Sequence, residues 1–333
     1  MVTKSAIVNR FIRGSRRTGI VAITSRCNCR CRTCNIYENK PVDISFHDVT
    51  KILDFMAANK FLITYFTGGE PSLHPDLVRI VEYADKLGLV TSLTTNGSIS
   101  SQTLHALKEA GLYAVSISVD SWDPAFADEH RRHSKIGQKQ QKAFQTAQML
   151  GIRTYGMTYL GTHLDPENIE KMVAHVNFAL DAPFGFCYPV TSKESTYRLG
   201  QSASLHSMET MDRMIERLLE LKKKGYRIIN MTSYMEDALR FHHGQAPRFP
   251  CRGGEYVFYV DWFGDVYPCF MKKKLFNILK DDEPILPTSV ACNDCLIECF
   301  REPSLLAYLS SPQLVFKEIA HGSPIKETIL WSR

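Results

Sequence analysis

Six short runs of β-forming residues, separated by stretches of helical periodicity, dominate the first 190 residues of the chain. Each run is apolar and rich in β-branched or aromatic residues, as buried strands are. They cover residues 19–25, 61–67, 89–95, 113–120, 153–161 and 184–190. Strands that alternate with helices form a parallel sheet with right-handed crossovers. Because six units are too few for a closed eight-stranded barrel, the sequence predicts an α/β fold, a partial (β/α)6 TIM-like barrel.

The helical stretches between these runs carry end signals. Ser45 and Asp48 form a capping-box-like pair at the start of one helix. Gly88, Gly111 and Gly151 each stand where a helix favours a left-handed C-terminal residue. In a parallel barrel the functional residues gather at the C-terminal ends of the strands, and we expect the site there.

The pattern changes after residue 240. A helix over 204–224 and a short strand over 227–231 are predicted before that point. Beyond it, CRGGEYVFYVDWFGDVYPC (251–269) predicts a β-hairpin that turns at residues 263–265. We therefore divide the chain into a basic extension (1–18), a partial barrel (19–240) and a small C-terminal domain of hairpin plus helix (241–333).

Charge and hydropathy argue against a nucleic-acid-binding, membrane-spanning or secreted protein. The net charge of +5 over 333 residues is mild, with basic patches near residues 10–17 and 272–274 that indicate either a solvated surface or an acidic partner. No basic stripe is interleaved with aromatic residues, so no nucleic-acid partner is expected. No apolar run approaches the ~20 residues of a transmembrane segment, and no secretory signal is evident. We expect a cytoplasmic protein with reduced cysteines.

CNCRCRTC (27–34) places four cysteines in eight positions, directly after the first predicted strand. Cys27, Cys31 and Cys34 have the spacing C-x3-C-x2-C. Thiolates are soft ligands, typical of iron–sulfur clusters and of zinc. Three cysteines on a four-iron cluster would leave one iron open to a substrate, whereas Cys29 could close a structural zinc site as a fourth ligand. This stretch alone leaves both metals open.

Three more motifs stand at the ends of the next predicted strands. FTGGEP (66–71) ends the second, TTNG (94–97) the third and ISVD (117–120) the fourth. Each alone is weak, since a Gly-Gly-Glu sequence is usually only a turn. Together with the cysteine motif, preceded by Thr24 and containing Asn28, they resemble the radical S-adenosylmethionine (SAM) superfamily over roughly residues 19–190.

This resemblance implies a [4Fe-4S] cluster and SAM as cofactors. Cys27, Cys31 and Cys34 would ligate the cluster, with Cys29 as a bystander. The open iron would bind the amino and carboxylate groups of SAM. Reductive cleavage of SAM would then give a 5′-deoxyadenosyl radical that abstracts hydrogen from an organic substrate.

The resemblance also implies contacts for SAM at the strand ends. Those proposed for its amine, its ribose and its carboxylate are Gly68, Gly69, Glu70, Asn96, Ser118 and either Arg131 or Arg132. The family often has an aromatic residue before the third cysteine. Thr33 stands there in this chain, so we expect the adenine contacts at Ile36 or Tyr37.

A second group of cysteines lies downstream, in the pattern C-x17-C followed by C-x2-C-x3-C. It comprises Cys251, Cys269, Cys292, Cys295 and Cys299. GDVYPC (264–269) resembles the SPASM and shorter twitch domains of radical SAM enzymes, which implies a second, auxiliary [4Fe-4S] cluster. We favour the first four cysteines as its ligands, with Cys299 as a spare or the true fourth ligand. Zinc is the alternative metal.

The predicted activity is that of a radical SAM oxidoreductase that passes an electron from its substrate to the auxiliary cluster. The alternatives are carbon–carbon coupling, rearrangement or epimerisation without net oxidation, and, outside enzymes, a zinc-binding scaffold or nucleic-acid-binding module. Flavodoxin or ferredoxin would supply the reducing electron.

Four other residues were weighed for a role. Cys187 in the sixth strand is a weak catalytic candidate, as a hydrogen-atom donor if it faces the barrel interior, and otherwise a core thiol. His242 and His243 are interpreted as a solvated helix end. For His130 a surface role is favoured.

Overall fold

A nine-stranded sheet organises the molecule in the computed structural model, which describes residues 2–190, 205–282, 284–287 and 291–308 together with Leu314 and Glu318. The order across the sheet is β6-β5-β4-β3-β2-β1-β7-β8-β9. The strands are β1 Arg17–Thr24, β2 Phe61–Gly68, β3 Val90–Thr95, β4 Ala114–Ser118, β5 Arg153–Tyr159, β6 Phe184–Cys187, β7 Val257–Val260, β8 Asp265–Tyr267 and β9 Phe276–Asn277.

Helices connect the strands. Those within the described residues are α1 Lys4–Ile12, α2 Phe46–Ala58, α3 Leu77–Lys86, α4 Ser101–Glu109, α5 Pro124–Arg131, α6 Ile136–Met149, α7 Ile169–Ala174, α8 Met208–Lys223, α9 Thr232–His242 and α10 Glu298–Ser304. None of the helices in this part of the chain is both long enough and apolar enough to cross a bilayer.

The first six strands confirm the predicted α/β architecture. Each pairs in parallel with its neighbour in chain order, from β1 through β6. β1 is buried along almost its whole length, as expected for a strand covered on both faces. The parallel order brings the C-terminal ends of β1 to β4 to one edge of the sheet, next to one another.

The predicted helix ends are also confirmed. The Ser45 side chain accepts a hydrogen bond from the backbone N–H of Asp48 at the start of α2. Gly88, Gly111 and Gly151 follow α3, α4 and α6 with positive φ angles of 75°, 94° and 64°. The start of the predicted helix 204–224 lies outside the described residues, and α8 begins after Ser207, whose hydroxyl caps it.

The C-terminal segment continues the barrel sheet. β7 pairs in parallel with β1, and β8 then pairs antiparallel with β7, which confirms the predicted hairpin. The predicted strand over 227–231 is wrong, because only Ile228 forms a bridge, to Phe184, before the chain turns into α9. The boundary near residue 240 stays a prediction.

Two arginines of the basic N-terminal segment form hydrogen bonds to backbone carbonyls at the other end of the sheet. Arg10, on α1, donates hydrogen bonds to the carbonyl oxygens of Leu87 (2.7 Å) and Phe61 (2.9 Å). Arg17 donates to the carbonyl of Asn59 at 2.8 Å and to that of Glu255 at 3.0 Å. These two arginines therefore stabilise the fold, in contrast to the solvated or partner-binding patch considered from the sequence.

We predict that Phe258→Ala destabilises the protein by about 3–5 kcal/mol, as expected for truncating a buried aromatic residue. Phe258 is 1% exposed on β7 and its ring lies 5.6 Å from that of Phe61 on β2. Chemical denaturation measures the free energy of unfolding. Phe178→Ala, at a position that is 72% exposed, is the matched control. Equally small decreases in the free energy of unfolding of both variants would contradict a shared hydrophobic core across β1 and β7.

Candidate functional site

The first cysteine loop begins where β1 ends and is held at several points. The Thr24 hydroxyl donates to Asp43 Oδ1 at 2.6 Å and accepts from the N–H of Arg26 at 3.0 Å. Farther along, the backbone N–H groups of Arg30 and Arg32 donate to the carbonyls of Arg131 and His130 at 3.0 and 3.1 Å. The loop is therefore fixed between the end of β1 and the end of α5.

Cys29 lies at the centre of this loop and is 1% exposed. Its thiol hydrogen-bonds to the sulfurs of Cys27 and Cys31, which raises its own pKa. The same hydrogen bond lowers the pKa of Cys31 to about 7. Burial raises the pKa of Cys34 to about 12. The loop thus brings the four thiols together, and the single S–H of Cys29 lies in reach of both Cys27 and Cys31 and donates to one of them at a time.

The glycine turn after β2 lies directly against this loop. Gly69 donates its N–H to the carbonyl of Thr24 at 2.9 Å, and Glu70 donates to that of Arg26 at 2.7 Å. A Cβ atom on Gly68 would lie 2.1 Å from the Thr24 carbonyl oxygen, and one on Gly69 equally close to that of Arg26. Gly68 also has a φ of 138°, which favours glycine. Only glycine permits this contact between the two chain segments.

The buried carboxylate of Glu70 joins the ends of β2 and β3. Its oxygens accept hydrogen bonds from the N–H of Ser72 (3.1 Å), the hydroxyl of Thr95 (2.8 Å) and the N–H of Asn96 (2.7 Å). Burial raises its pKa, although these hydrogen bonds work in the opposite direction. Three of its about four acceptor positions are therefore used inside the protein.

Asn96 connects the end of β3 to the cysteine loop. Its side-chain amide donates to Asn28 Oδ1 at 2.8 Å and to Cys29 Sγ at 3.2 Å. On the next strand, the Ser118 hydroxyl donates to the carbonyl of Thr95 at 3.3 Å. The predicted contacts Gly68, Gly69, Glu70, Asn96 and Ser118 are thus brought together around the cysteine loop.

Of the two candidate arginines, only Arg131 faces this region. Its guanidinium forms a two-pronged ion pair with Asp120 at the end of β4, and both residues are buried. Its charge also helps to lower the pKa of Cys31. Arg132 is exposed and ends α5 in a left-handed conformation with φ 47°. Arg131 therefore fits the predicted carboxylate contact better than Arg132.

The two candidate adenine contacts lie in a short 3₁₀ helix after the cysteine loop, Ile36–Glu38. Ile36 is 4% exposed and belongs to the main hydrophobic core, where its side chain packs against the barrel. Tyr37 is half-buried. Of the two, Tyr37 offers the accessible ring.

The second cysteine group is assembled by a short antiparallel pairing. Cys251 and Cys292 exchange two backbone hydrogen bonds of 2.9 Å and so lie directly opposite each other. Burial raises the pKa of Cys269 to about 12 and also raises that of Cys295. In both cases the charges of Cys251 and Cys292 add to the rise, since these sulfurs lie close by. Four cysteines therefore share one partly buried site.

Cys299 lies between this group and the barrel interior. Burial raises its pKa, with further contributions first from Glu298 and Cys187 and then from Cys269 and Cys295. Cys187, the last residue of β6, hydrogen-bonds through its thiol to Glu298, and burial raises its pKa well above the ordinary value. Burial likewise raises the pKa of Glu298 to about 7. Cys187 is therefore a half-buried thiol with a carboxyl partner.

Two histidines differ from their sequence-based interpretation. His242 is wrongly predicted to be solvated: its side chain is 1% exposed, and it lies 2.5 Å from Asp212 and 2.6 Å from the Tyr188 hydroxyl. His243, with 63% exposure, agrees with that prediction. His130 is 5% exposed and packs against His163, a residue the sequence analysis missed. Local sequence patterns predict neither the contacts of His242 nor that between His130 and His163, because each joins segments that are far apart in the chain.

The comparisons with known proteins agree with this geometry. The family model described as "Radical SAM superfamily" matches residues 21–179. GTP 3′,8-cyclase of Chlorobaculum tepidum is 39% identical over 109 residues, which are 31% of this chain and 32% of that protein. The chain thus matches about a third of the length of this curated relative.

Two solved structures have the same fold. Streptococcus suis SuiB bound to SAM aligns with a TM-score of 0.66 at 16% identity, over 80% of this chain and 64% of that one. Native anSMEcpe with bound AdoMet and a peptide aligns with a TM-score of 0.60 at 17% identity, over 79% and 78%. These two structures show the fold alone, whereas the family match identifies residues 21–179 as radical SAM-like, a class that uses SAM and a [4Fe-4S] cluster.

The residues present fit such a cofactor pair. The four soft thiols of the first loop include three at the family's spacing, and a glycine turn that admits no side chain lies against them. At the strand ends, Asn96 contacts Cys29 of this loop, and Ser118 contacts the backbone of Thr95, the residue before Asn96.

We predict that Cys31 and Cys34 are alkylated at different rates in the metal-free protein. At pH 7 about half of Cys31 is thiolate, since its pKa is about 7, whereas Cys34, with a pKa of about 12, stays protonated. Iodoacetamide should therefore modify Cys31 at least about tenfold faster, with the rate falling below pH 7. Peptide mass spectrometry measures both rates. In Cys29→Ala the Cys31 profile should move to higher pH, and an unmoved profile would contradict the hydrogen bond.

Proposed function

We propose that the protein is a radical SAM oxidoreductase that removes hydrogen from an organic substrate. When bound, the first cluster and SAM supply the 5′-deoxyadenosyl radical that abstracts hydrogen, and an auxiliary cluster accepts the second electron. Per turnover the substrate loses a hydrogen atom, an electron and a proton, and SAM becomes methionine and 5′-deoxyadenosine. The observation that supports this most strongly is the assembly of the cysteine loop, the glycine turn and Asn96 inside the matched radical SAM domain.

We assign the cofactor contacts on the same grounds. Cys27, Cys31 and Cys34 hold the first cluster, while Cys29 stays free to donate hydrogen bonds. The remaining contacts, for SAM, are Gly68, Gly69, Glu70, Asn96, Ser118, Arg131 and Tyr37. Because internal donors largely occupy the Glu70 carboxylate, we assign the SAM amine to the backbone of the glycine turn. Arg131 keeps three of its five N–H donors beyond its pair with Asp120.

We assign Cys251, Cys269, Cys292 and Cys295 to the auxiliary cluster, with Cys299 outside it. The mutual charge effects of the first four thiols support this set, whereas Cys299 is most strongly affected by Glu298 and Cys187. A closed four-cysteine cluster beside the barrel interior has the position needed to accept an electron from a substrate.

A second candidate function ends without net oxidation. Cys187 is a half-buried thiol at the end of β6, in hydrogen-bond contact with Glu298, and fits a hydrogen-atom donor to a substrate radical, as epimerisation requires. Coupling and rearrangement belong to the same alternative, and one relative is named a GTP 3′,8-cyclase. Peptides are a candidate substrate class, since SuiB has been crystallised with a precursor peptide.

The reductant of the first cluster would be an acidic carrier such as flavodoxin or ferredoxin. The exposed lysines 272–274 offer a basic surface, although Lys272 and Lys274 already pair with Asp294 (2.5 Å) and Asp265 (3.1 Å). A cytoplasmic location and the domain limits 19–240 and 241–333 are part of this proposal.

We predict that Cys31→Ala abolishes 5′-deoxyadenosine formation with dithionite and removes about four irons per chain, because a three-cysteine cluster does not tolerate the loss of a ligand. The measurements are liquid chromatography of the nucleoside and iron analysis after anaerobic reconstitution. The matched variant Cys29→Ala should keep both cluster and cleavage. Cleavage that persists in Cys31→Ala would refute the ligand assignment, and zinc in place of iron in the parent protein would favour the scaffold alternative.

We predict that Cys269→Ala loses about four irons yet still cleaves SAM, because only the auxiliary cluster is removed. Cys299→Ala should keep the full iron content, since this thiol is assigned outside the ligand set. Iron analysis and the 5′-deoxyadenosine assay serve both variants. Loss of iron in Cys299→Ala together with its retention in Cys295→Ala would make Cys299 the fourth ligand and reverse the assignment.

A further inference from the structure

Three metal-ligating side chains meet beside the proposed SAM site without belonging to it. Asp120 follows β4, His130 lies in the last turn of α5, and His163 follows β5. One ligand atom from each lies within 4.8 Å of the other two. Asp120 and His130 are separated by most of α5, and His163 comes from a later segment, after β5. The fold therefore brings the three side chains together.

Both histidines are left with an unused ring nitrogen. Within the described part of the chain, the Nε2 atoms of His130 and His163 are buried and have no hydrogen-bond partner. His130 is 5% exposed, and its ring centroid lies 4.6 Å from that of His163. A buried polar atom without a hydrogen-bond partner is destabilising, and here there are two beside a carboxylate. A ligand that both nitrogens can bind would remove this cost.

The surroundings keep each group in the state that a metal needs. Burial lowers the pKa of His163 to about 4 and also lowers that of His130, so both rings are neutral at pH 7. Burial opposes ionisation of Asp120, but the charge and hydrogen bonds of Arg131 outweigh it and lower the pKa of that carboxyl. Ligating carboxylates commonly carry such an outer hydrogen-bond partner. Phe126 stacks on both imidazoles, at 5.7 and 6.1 Å, and covers their outer side.

We propose that Asp120, His130 and His163 bind a divalent first-row transition metal ion, with zinc as its best representative. Two imidazoles and one carboxylate are a common donor set for zinc and for mononuclear iron, and leave at least one coordination position open. Because the site lies at the strand ends beside the cysteine loop, that open position suits an oxygen-bearing group of the substrate.

A cation is favoured over the other ligands these atoms could take. The Asp120 carboxylate opposes an anion, and a neutral polar group would satisfy the two imidazole nitrogens but gains little from the carboxylate. The neighbouring charge of Arg131 weakens cation binding, but both of its contacts are to carboxylate oxygens that keep a further lone pair each.

The test is zinc binding to the full chain with its iron–sulfur clusters reconstituted. Equilibrium dialysis against zinc, followed by elemental analysis, gives zinc and iron per chain, and zinc X-ray absorption identifies the ligand atoms. We expect about one zinc with only nitrogen and oxygen ligands at about 2.0–2.1 Å. A zinc–sulfur distance of about 2.3 Å would instead mean zinc in a cysteine site and would overturn the proposal.

Substitutions of the two histidines test whether zinc binds at this site. His163→Gln and His130→Gln should each weaken zinc binding at least about tenfold, since even outer-shell changes cost about 10–100-fold, while iron content stays constant. His175→Gln, a half-buried histidine elsewhere, is the matched control and should bind as the parent does. Undiminished zinc in both site variants, or no zinc in the parent protein, would refute the site and leave the proposed function standing.

Discussion

The close approach of the glycine turn to the cysteine loop is the contact on which the rest of the site depends. Gly68 and Gly69 lie so near the carbonyls of Thr24 and Arg26 that no side chain fits between them. Two backbone hydrogen bonds close this contact, and the buried carboxylate of Glu70 extends it to the end of β3. Substitutions there would displace the cysteine loop, because these hydrogen bonds join the glycine turn directly to the residues that lead into it.

β1 links the two cysteine groups. The C-terminal end of β1 leads into the first cysteine loop. The edge of β1 that does not pair with β2 pairs with β7, the first strand of the hairpin that leads to Cys269. The hairpin and α10 then bring Glu298 and Cys299 towards Cys187 on the last strand of the barrel. A single sheet therefore fixes the separation between both groups, and this is the physical basis for proposing electron transfer between a barrel-bound substrate and the second group.

The sequence predicts what local chemistry determines. The six parallel strands, the Ser45 cap and the glycine helix ends follow from periodicity and backbone preference, and the strand-end motifs follow from the parallel order. It does not predict the pairing of β7 with β1, the burial of His242 between Asp212 and Tyr188, or the group at Asp120. Each of these depends on segments far apart in the chain, and the bridge at Ile228 shows how a β-rich run stops short of a strand when a helix follows.

The proposed chemistry requires a first cluster with an open iron that binds SAM. We would test this by electron–nuclear double resonance on the reduced protein, with SAM isotopically labelled in its amino nitrogen. We expect a strong coupling between the cluster and the labelled nitrogen that disappears in Cys31→Ala and persists in Cys269→Ala. A cluster signal that SAM leaves unchanged would mean that all its irons are closed, and the proposed chemistry would then be wrong.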